Sequence, residues 1–439
     1  MNSKIQAISS FLTERKERLK PEEANELNLK RIEKIDFTGQ IHLVENKPTK
    51  TGMIVVKKGD LVISGINVAK GALAVYEGDE DVIATIHYSS YSFDKEKIDI
   101  NFLKWFLKSP AFVDALEEQT GGGIKTEIKA KKFLSLKIPI PTLDEQKNIE
   151  ANLNKFEEKY NQVSEELQTQ SELITKLRSS ILSDAVSGKL VPQDPNDESA
   201  QVLLEKIKAE KEKLIKEGKI KKQKPLPQIS EDEIPYDLPD GWVWCRLDDI
   251  VSKIGSGSTP KGGQKAYVDE GIPFLRSQNI WNHGLELSNI ALIKKEQHEK
   301  MSGTVVLPND ILINITGASI GRSAIVKVED FEEANVSQHV SIVRLVQEEI
   351  NQFIHIVLTS DYIFSEIMNV QVGISREGLS KAKLSNFLIP LPPLEEQKRI
   401  VEKVEKLMAT RDALELEVQN SKTETEKLMQ SVLKEAFEN

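Results

Sequence analysis

Cysteine is all but missing. Cys245 stands alone in 439 residues, so neither an internal disulfide nor a cysteine-built zinc site can form. Following Trp244, it reads as a small buried hydrophobe. Nowhere do the ~18 consecutive apolar residues of a membrane span occur. The opening MNSKIQAISSFLTERKERLK lacks the unbroken apolar core of a signal peptide, and a cytoplasmic protein is expected. The histidines, His42, His87, His283, His298, His339 and His355, show no HExxH or comparable ligand spacing and read as surface or core residues. GSGSTPKGG at Gly255 and GASIGRS at Gly317 are glycine-rich, but neither ends in the GK[ST] that a phosphate loop requires. No metal or nucleotide centre is expected in this chain.

Basic residues are also in deficit, 59 Lys and Arg against 69 Asp and Glu, a net charge of −10. That balance argues against a generally basic nucleic-acid binder, since phosphates are neutralised by Lys and Arg. It leaves room for a chain that segregates acid onto helices and base onto one groove-facing surface. At roughly 100–200 residues per domain, the length calls for two to four units.

What is present is a long internal repeat. KFLSLKIPIPTLDEQKNI from Lys132 aligns without a gap on KLSNFLIPLPPLEEQKRI from Lys383, an offset of 383 − 132 = 251. Upstream, Val55, Asp60, Ile63, Gly71 and Ala74 fall on Val305, Asp310, Ile313, Gly321 and Ala324, an offset of 305 − 55 = 250. Solenoid periods are about 20–50 residues. A repeat this long implies a duplicated domain with a duplicated connector.

Each connector reads as a long helix. Apolar residues alternate in steps of four and three at Ile149, Leu153, Phe156, Tyr160, Val163, Leu167, Ile174, Leu177 and Ile181, with polar Gln170 completing the pattern. The second copy has Ile400, Val404, Leu407, Leu414, Val418, Leu428 and Val432, interrupted by Arg411, Ser421 and Thr425. This is a coiled-coil seam. Pro139, Pro141, Pro390, Pro392 and Pro393 forbid helix just upstream, so the helices start close to Leu143 and Leu394. Acidic residues at 144–145 and 395–396 then complement the helix dipole. Antiparallel pairing would bring Ile149 near Val432, Ile181 near Ile400 and Gln170 opposite Arg411. The alternative is that each helix packs on its own globular domain.

Short β-type runs (GMIVV, DLVIS, TVVL, DILINI, SIVRLV) mix with helical stretches at Asn101 to Glu118 and Glu348 to Asn369, which gives α+β domains. The reading is a first domain over 1–142, a first long helix over 143–186, a linker over 187–240, a second domain over 241–393 and a second long helix over 394–439. The linker holds a charged helix near Gln201 to Lys216 with i,i+4 Glu/Lys pairs, then an extended proline-bearing stretch.

Together, IPIPTLDEQKNI and IPLPPLEEQKRI, the linker GKLVPQDPNDESA through KKQKPLPQISEDEIP, the opening PDGWVWCRLDDI and GIPFLRSQNI at Gly271 make the chain resemble the specificity (S) subunits of Type I restriction-modification systems over nearly its whole length. The resemblance implies two α+β target-recognition domains joined by two long antiparallel helices, each domain reading one half of a split, asymmetric DNA target. It implies a subunit without catalysis of its own. Adenine methylation with S-adenosylmethionine would belong to two methyltransferase (M) subunits, and ATP- and Mg-dependent cleavage to restriction (R) subunits that can join them. Consistent with that, the chain has no methyltransferase glycine loop and no nuclease carboxylate–lysine cluster. One departure is that nothing comparable to GWVWCRLDDI precedes the first domain, which reads as shorter or divergent.

Side chains that reach base edges are Arg, Asn, Gln, Ser and Thr, while Lys and Arg hold phosphates. The second domain offers Ser256, Ser258, Thr259 and Lys261; then Arg276, Ser277, Gln278, Asn279, Trp281 and Asn282; and last Ser375, Arg376, Lys381 and Lys383. The middle cluster follows the apolar run IPFL, hence a strand end, and Arg276, Gln278 and Asn279 lead the candidates. Thr316, Ser319 and Arg322 sit beside the Gly317 and Gly321 turn. The first domain offers Asn67, Lys70, Tyr88, Tyr91, Lys125, Thr126, Lys129 and Lys131; the last four lie in GGGIKTEIKAKK, a phosphate-contacting loop or equally a surface hairpin turn.

The seam from Ile149 to Ile181 spans ~48 Å at about 1.5 Å per residue, room for half-sites roughly one DNA turn, about 34 Å, apart. The rival reading is a coiled-coil scaffold whose heads bind proteins, which the acidic balance favours. A second rival is a DNA reader for another defence assembly.

Overall fold

A computed structural model describes residues 3–27, 29–45, 50–120, 128–371 and 378–438. The chain divides into two compact units, 1–170 with 417–439, and 171–416. Each unit holds one α+β domain and a segment of each long helix.

In the first unit, Lys4–Ala7 pairs antiparallel with Lys137–Ile140 and closes the domain's two ends on each other. A four-stranded sheet follows in the order Leu12–Glu14, Tyr88–Phe93, Leu61–Ser64, Leu73–Val75. A five-stranded sheet runs Arg18–Leu19, Met53–Val56, Val82–Thr85, Arg31–Ile35, Ile41–Val44. Met53–Val56 and Leu61–Ser64 are buried at every position, as expected of uninterrupted apolar runs covered on both faces. The helix Ile100–Lys108 is started by Asp99, whose carboxylate accepts from the backbone N–H of Asn101 and Phe102.

The second unit repeats this plan. Val243–Arg246 pairs with Leu388–Leu391. The four-stranded sheet runs Val251–Ser256, Val340–Leu345, Ile311–Asn314, Ser323–Ile325, and the five-stranded one Tyr267–Val268, Ala291–Ile293, Ile272–Leu275, Ala334–Val336, Val305–Val306. Each five-stranded sheet contains one parallel pair at the same place, Arg31–Ile35 with Val82–Thr85 and Ile272–Leu275 with Ala334–Val336. The first domain therefore does have a counterpart of the VWCR opening. It is Lys4–Ala7, which escaped notice because the strand pairs through its backbone and carries no tryptophan.

Both domains hold a buried aspartate at the repeat position, Asp60 (2% exposed) and Asp310 (1%). Each follows a left-handed residue, Gly59 (φ 85°) and Asn309 (φ 69°), a conformation glycine and asparagine tolerate. Each accepts a backbone N–H, from Lys57 and Leu307. Each is also gripped by both arms of an arginine, but from different strands: Arg15 follows Leu12–Glu14, whereas Arg344 lies in Val340–Leu345.

The long helices span Leu143–Val186 and Leu394–Glu438. Their shared DEQ/EEQ motif has a structural explanation. Gln146 and Gln397, both buried, donate to the carbonyls of Pro141 and Pro392 at 2.9 Å, tying the helix start to the strand that precedes it. Gln146 also accepts from the Asp99 N–H at 2.7 Å. In the first unit Leu153 shares a core with Leu433 and Phe437; in the second, Ile181 and Leu182 do so with Ile400 and Val404. In both, the two helix segments run antiparallel. The seam is not buried throughout, since Val163, Leu177, Leu414 and Leu428 are 40–54% exposed. Gln170 donates to Glu166 and Arg411 pairs with Asp412 and Glu415, each on its own helix.

In the linker, Ala200–Lys216 is helical, capped by Ser199, and buries Ala200, Leu203, Leu204 and Ile207 against the second domain. Of its lysines, Lys206, Lys208 and Lys211 reach Glu198, Asp249 and Asp248 rather than forming the expected i,i+4 pairs along the helix. The stretch beyond it is fastened by Arg246, whose guanidinium donates to Glu233 and to the carbonyls of Pro227 and Asn386.

Candidate nucleic-acid interface

In the second domain, loops from five parts of the sequence meet at one end of the sheets. The chain leaving Val251–Ser256 continues along its own sheet through Gly257 N–H to Val340 O and then reaches the five-stranded sheet through Ser258 N–H to Val336 O. Gly257 is required there, because a Cβ would come within 1.9 Å of the Val336 carbonyl. The turn Ser277–Asn279 is held by Asn314, whose amide donates to Ser277 O and Ser319 Oγ. Ile315 N–H bonds His339 O and Leu379 N–H bonds Ile315 O, while Thr316 Oγ1 and His339 Nδ1 are 2.8 Å apart. Residues 256–261, 276–282, 314–322, 337–339 and 378–381 thus form one connected surface.

The first domain builds the same junction. Gly65 N–H bonds His87 O and Ile128 N–H bonds Gly65 O, the counterparts of the bonds at Ile315. Asn67, Lys70, Tyr88 and Lys129 lie around it, with Lys70 5.8 Å from the Phe37 ring centroid. Exposed His87 and His339 therefore occupy equivalent places. Sequence reasoning passed over both by asking only whether they ligate metal; the ungapped repeat offsets of 250 and 251 set His87 on Ser337 or Gln338, so only the backbone bonds reveal the equivalence.

The family model for the Type I restriction modification DNA specificity domain matches this chain twice, over residues 14–172 and 239–421. The chain belongs to that family. Among relatives of this DNA specificity protein, the Type I restriction enzyme EcoAI specificity subunit of Escherichia coli is 29% identical over 442 residues, covering 89% of this chain and 74% of that protein. The EcoEI specificity subunit of the same species is 31% identical over 334 residues, covering 72% of this chain and 53% of its own length. Among solved structures, a chain from a type I R-M system superposes with a TM-score of 0.71 at 19% identity, covering 99% of this chain and 97% of its own. The HsdS subunit from Thermoanaerobacter tengcongensis gives a TM-score of 0.55 at 19% identity, covering 99% and 96%. These structural matches establish that the fold is shared.

The specificity-domain surfaces distinguish side chains that are offered from those that are not. Ser256, Ser258, Lys261, Gln278, Lys381, Lys70 and Lys129 are exposed. Thr259, Ser277, Trp281, Asn282, Thr316, Ser319, Arg322, Lys383, Asn67 and Tyr88 are half-buried. Lys131 is exposed as well. Asn279 is a correction. At 2% exposure, its carbonyl accepts the Arg276 N–H and its amide donates to Glu286 O, so it shapes the turn and has no edge left for a base. Tyr91 is another, 1% exposed and packed on Phe133 with centroids 5.4 Å apart; burial raises its phenol well above the usual range. Asn282 is half-committed, its carbonyl accepting the Ser323 N–H. Lys125, Thr126, Ser375 and Arg376 lie outside the described residues.

Two arginines are held for presentation. The Arg276 guanidinium lies 5.5 Å from the Tyr267 ring centroid and donates to Asn289 O. Arg322 stacks 3.8 Å from the Trp281 ring centroid, while that indole donates to Gln278 O. A guanidinium held against an aromatic face as closely as Arg322 keeps N–H groups available for guanine or phosphate, whereas Arg276 sits farther from its ring. Among the described residues no cluster of His, Cys, Asp or Glu could hold a metal ion, and no helix is long and apolar enough to cross a membrane.

Proposed function

We propose that this DNA specificity subunit reads a split, asymmetric duplex target, one half-site per domain, and delivers it to catalytic partners. The family membership, found once in each half of the chain, carries the reading. Each domain's connected loop surface supplies base-reaching and phosphate-reaching groups on a rigid two-sheet scaffold. In the second domain Gln278 and Arg276 read bases, Ser256, Ser258, Thr316 and Ser319 add hydroxyl contacts, and Lys261 and Lys381 hold phosphates. In the first, Asn67, Lys70, Tyr88 and Lys129 take these roles.

The chain performs no chemistry in this account. Two methyltransferase subunits would bring S-adenosylmethionine and modify adenine, and restriction subunits would bring ATP and Mg, all in the cytoplasm. Binding of the assembled complex to randomised duplex DNA tests the proposal. Enrichment of two fixed elements with an unread spacer supports it, and unselective recovery of sequences contradicts it.

A further inference from the structure

Each unit contains a cleft between its recognition domain and a long helix, and the two clefts are copies of one another. In the second unit a cleft of about 860 Å³ lies between the helix Asn351–Leu358 and Val401, Glu405 and Met408 of the second long helix. In the first, a smaller cleft of about 240 Å³ lies between Ile100–Lys108 and Glu150, Asn154 and Glu157 of the first long helix. These are the same positions displaced by one repeat.

Glu405, Asp412 and Glu415 line the larger cleft and Glu150 and Glu157 the smaller one, yet each cleft also holds cations that form no ion pair with a described residue. Arg178, Arg322 and Arg411 line the larger one. Arg411 is neutralised by Asp412 and Glu415. Arg322 is held on Trp281 and forms no ion pair with a described residue. Arg178 also has no ion pair or side-chain hydrogen bond among the described residues. Burial, and then Arg411, lower its pKa, with Asp361 and Asp412 opposing them. In the smaller cleft Lys108 lies 5.7 Å from the Trp105 ring centroid and is likewise unpaired; burial depresses its amine, with Lys104 adding to the effect and Glu157 and Asp36 opposing it. A partly desolvated cation with no ion-pair partner is a cost to folding. Arg178 stands on the first long helix and Lys108 on the domain helix, where the repeat counterpart of Lys108 is Thr359; the two halves thus bring a cation into the same repeated cleft from different elements.

We propose that these clefts are phosphate seats. Arg178 with Arg322 in the second unit, and Lys108 with Lys104 in the first, each grip a phosphodiester of the bound duplex beside the reading loops. Trp281, Asn282 and His283 border the larger cleft and continue from Gln278, so a strand read by that loop brings its backbone to Arg322. The inference rests on the DNA-reading function proposed above. It adds contacts that set affinity without setting sequence, and it gives the long helix a part in holding DNA.

The test is duplex binding by the full chain in complex with its methyltransferase partner, measured across salt for wild type and for Arg178→Gln, Arg322→Gln and Lys108→Gln. Each variant should weaken cognate and non-cognate binding alike, by about tenfold for a charge-assisted contact. Each should also lower the slope of log K against log salt by about 0.9, and Arg178→Lys should restore that slope. Arg178→Gln should melt no lower than wild type, because it removes an unpaired, half-buried charge. A wild-type slope in folded variants overturns the seats. So does loss of methyltransferase assembly with DNA binding intact, which would assign the clefts to an acidic protein segment. If wild type itself shows no salt-dependent DNA binding, the DNA-reading function fails, and the seats with it.

Discussion

Replacing Asn279 and replacing its neighbour Gln278 should have opposite consequences, although both are amides in one turn. Asn279 is buried and makes two hydrogen bonds. Truncation to alanine leaves the Arg276 N–H and Glu286 carbonyl without it, and each such loss costs about 1 kcal/mol or somewhat more. Asn279→Ala should therefore destabilise the second unit by about 2–3 kcal/mol and weaken DNA binding indirectly, by loosening Arg276. Gln278 is exposed, so Gln278→Ala should leave stability within about 0.5 kcal/mol. If Gln278 reads a base, its loss should reduce discrimination at one base pair by about 1–3 kcal/mol. Denaturant titration supplies the stabilities, and binding to a panel of single-base variants of the target supplies the discrimination. A fully stable Asn279→Ala protein that has lost recognition of one base pair would refute the reasoning, because it would make Asn279 a reader.

The buried Asp310 offers a stability test: Asp310→Ala strands Arg344 and the Leu307 N–H. Removing one partner of a buried pair costs about 3–5 kcal/mol; with Arg344 27% exposed, about 2–3 kcal/mol is expected by denaturant titration, with the Arg344→Ala, Asp310→Ala double variant losing less than the sum. His355 supplies a pH test. Burial lowers its folded-state pKa below 6.5, so the unfolded chain takes up the proton first. Stability from this residue is complete above about pH 6.5 and is lost as pH falls below it toward the folded value; His355→Gln should remove that part of the acid-side slope in melting experiments. Lengthening both long helices by one heptad adds ~10.5 Å of rise and should widen the unread spacer by about 3 base pairs, read from selected or methylated sequences.

Much of the architecture was legible because it rests on local rules. Pro139 and Pro390 lie within the strands Lys137–Ile140 and Leu388–Leu391, Pro141, Pro392 and Pro393 follow them, and the helices begin at Leu143 and Leu394. The repeat at Asp60 and Asp310 marks the same turn in both domains. What escaped depends on which neighbour a residue meets. Lys4–Ala7 pairs through its backbone with a strand 130 residues away, and no side-chain pattern announces that. The glutamine in DEQ and EEQ was visible as a motif, but its bond to the proline carbonyl was not. Asn279 and Gln278 are adjacent amides after an apolar run, and only the fold shows that one faces inward. The larger cleft joins Arg178, Arg322 and Arg411 from three separate stretches, so no window of sequence contains it.

The central claim is that this chain alone dictates which DNA sequence its partners modify. The most direct test is to co-express it with the methyltransferase subunit of its own system and map modified adenines across a host genome by single-molecule sequencing. The account predicts one split motif with a constant spacer, whose second half changes or vanishes when Arg276 and Gln278 are replaced by alanine in a chain that still assembles. Modification of a motif indifferent to those substitutions, or none at all from a stable complex, would contradict it.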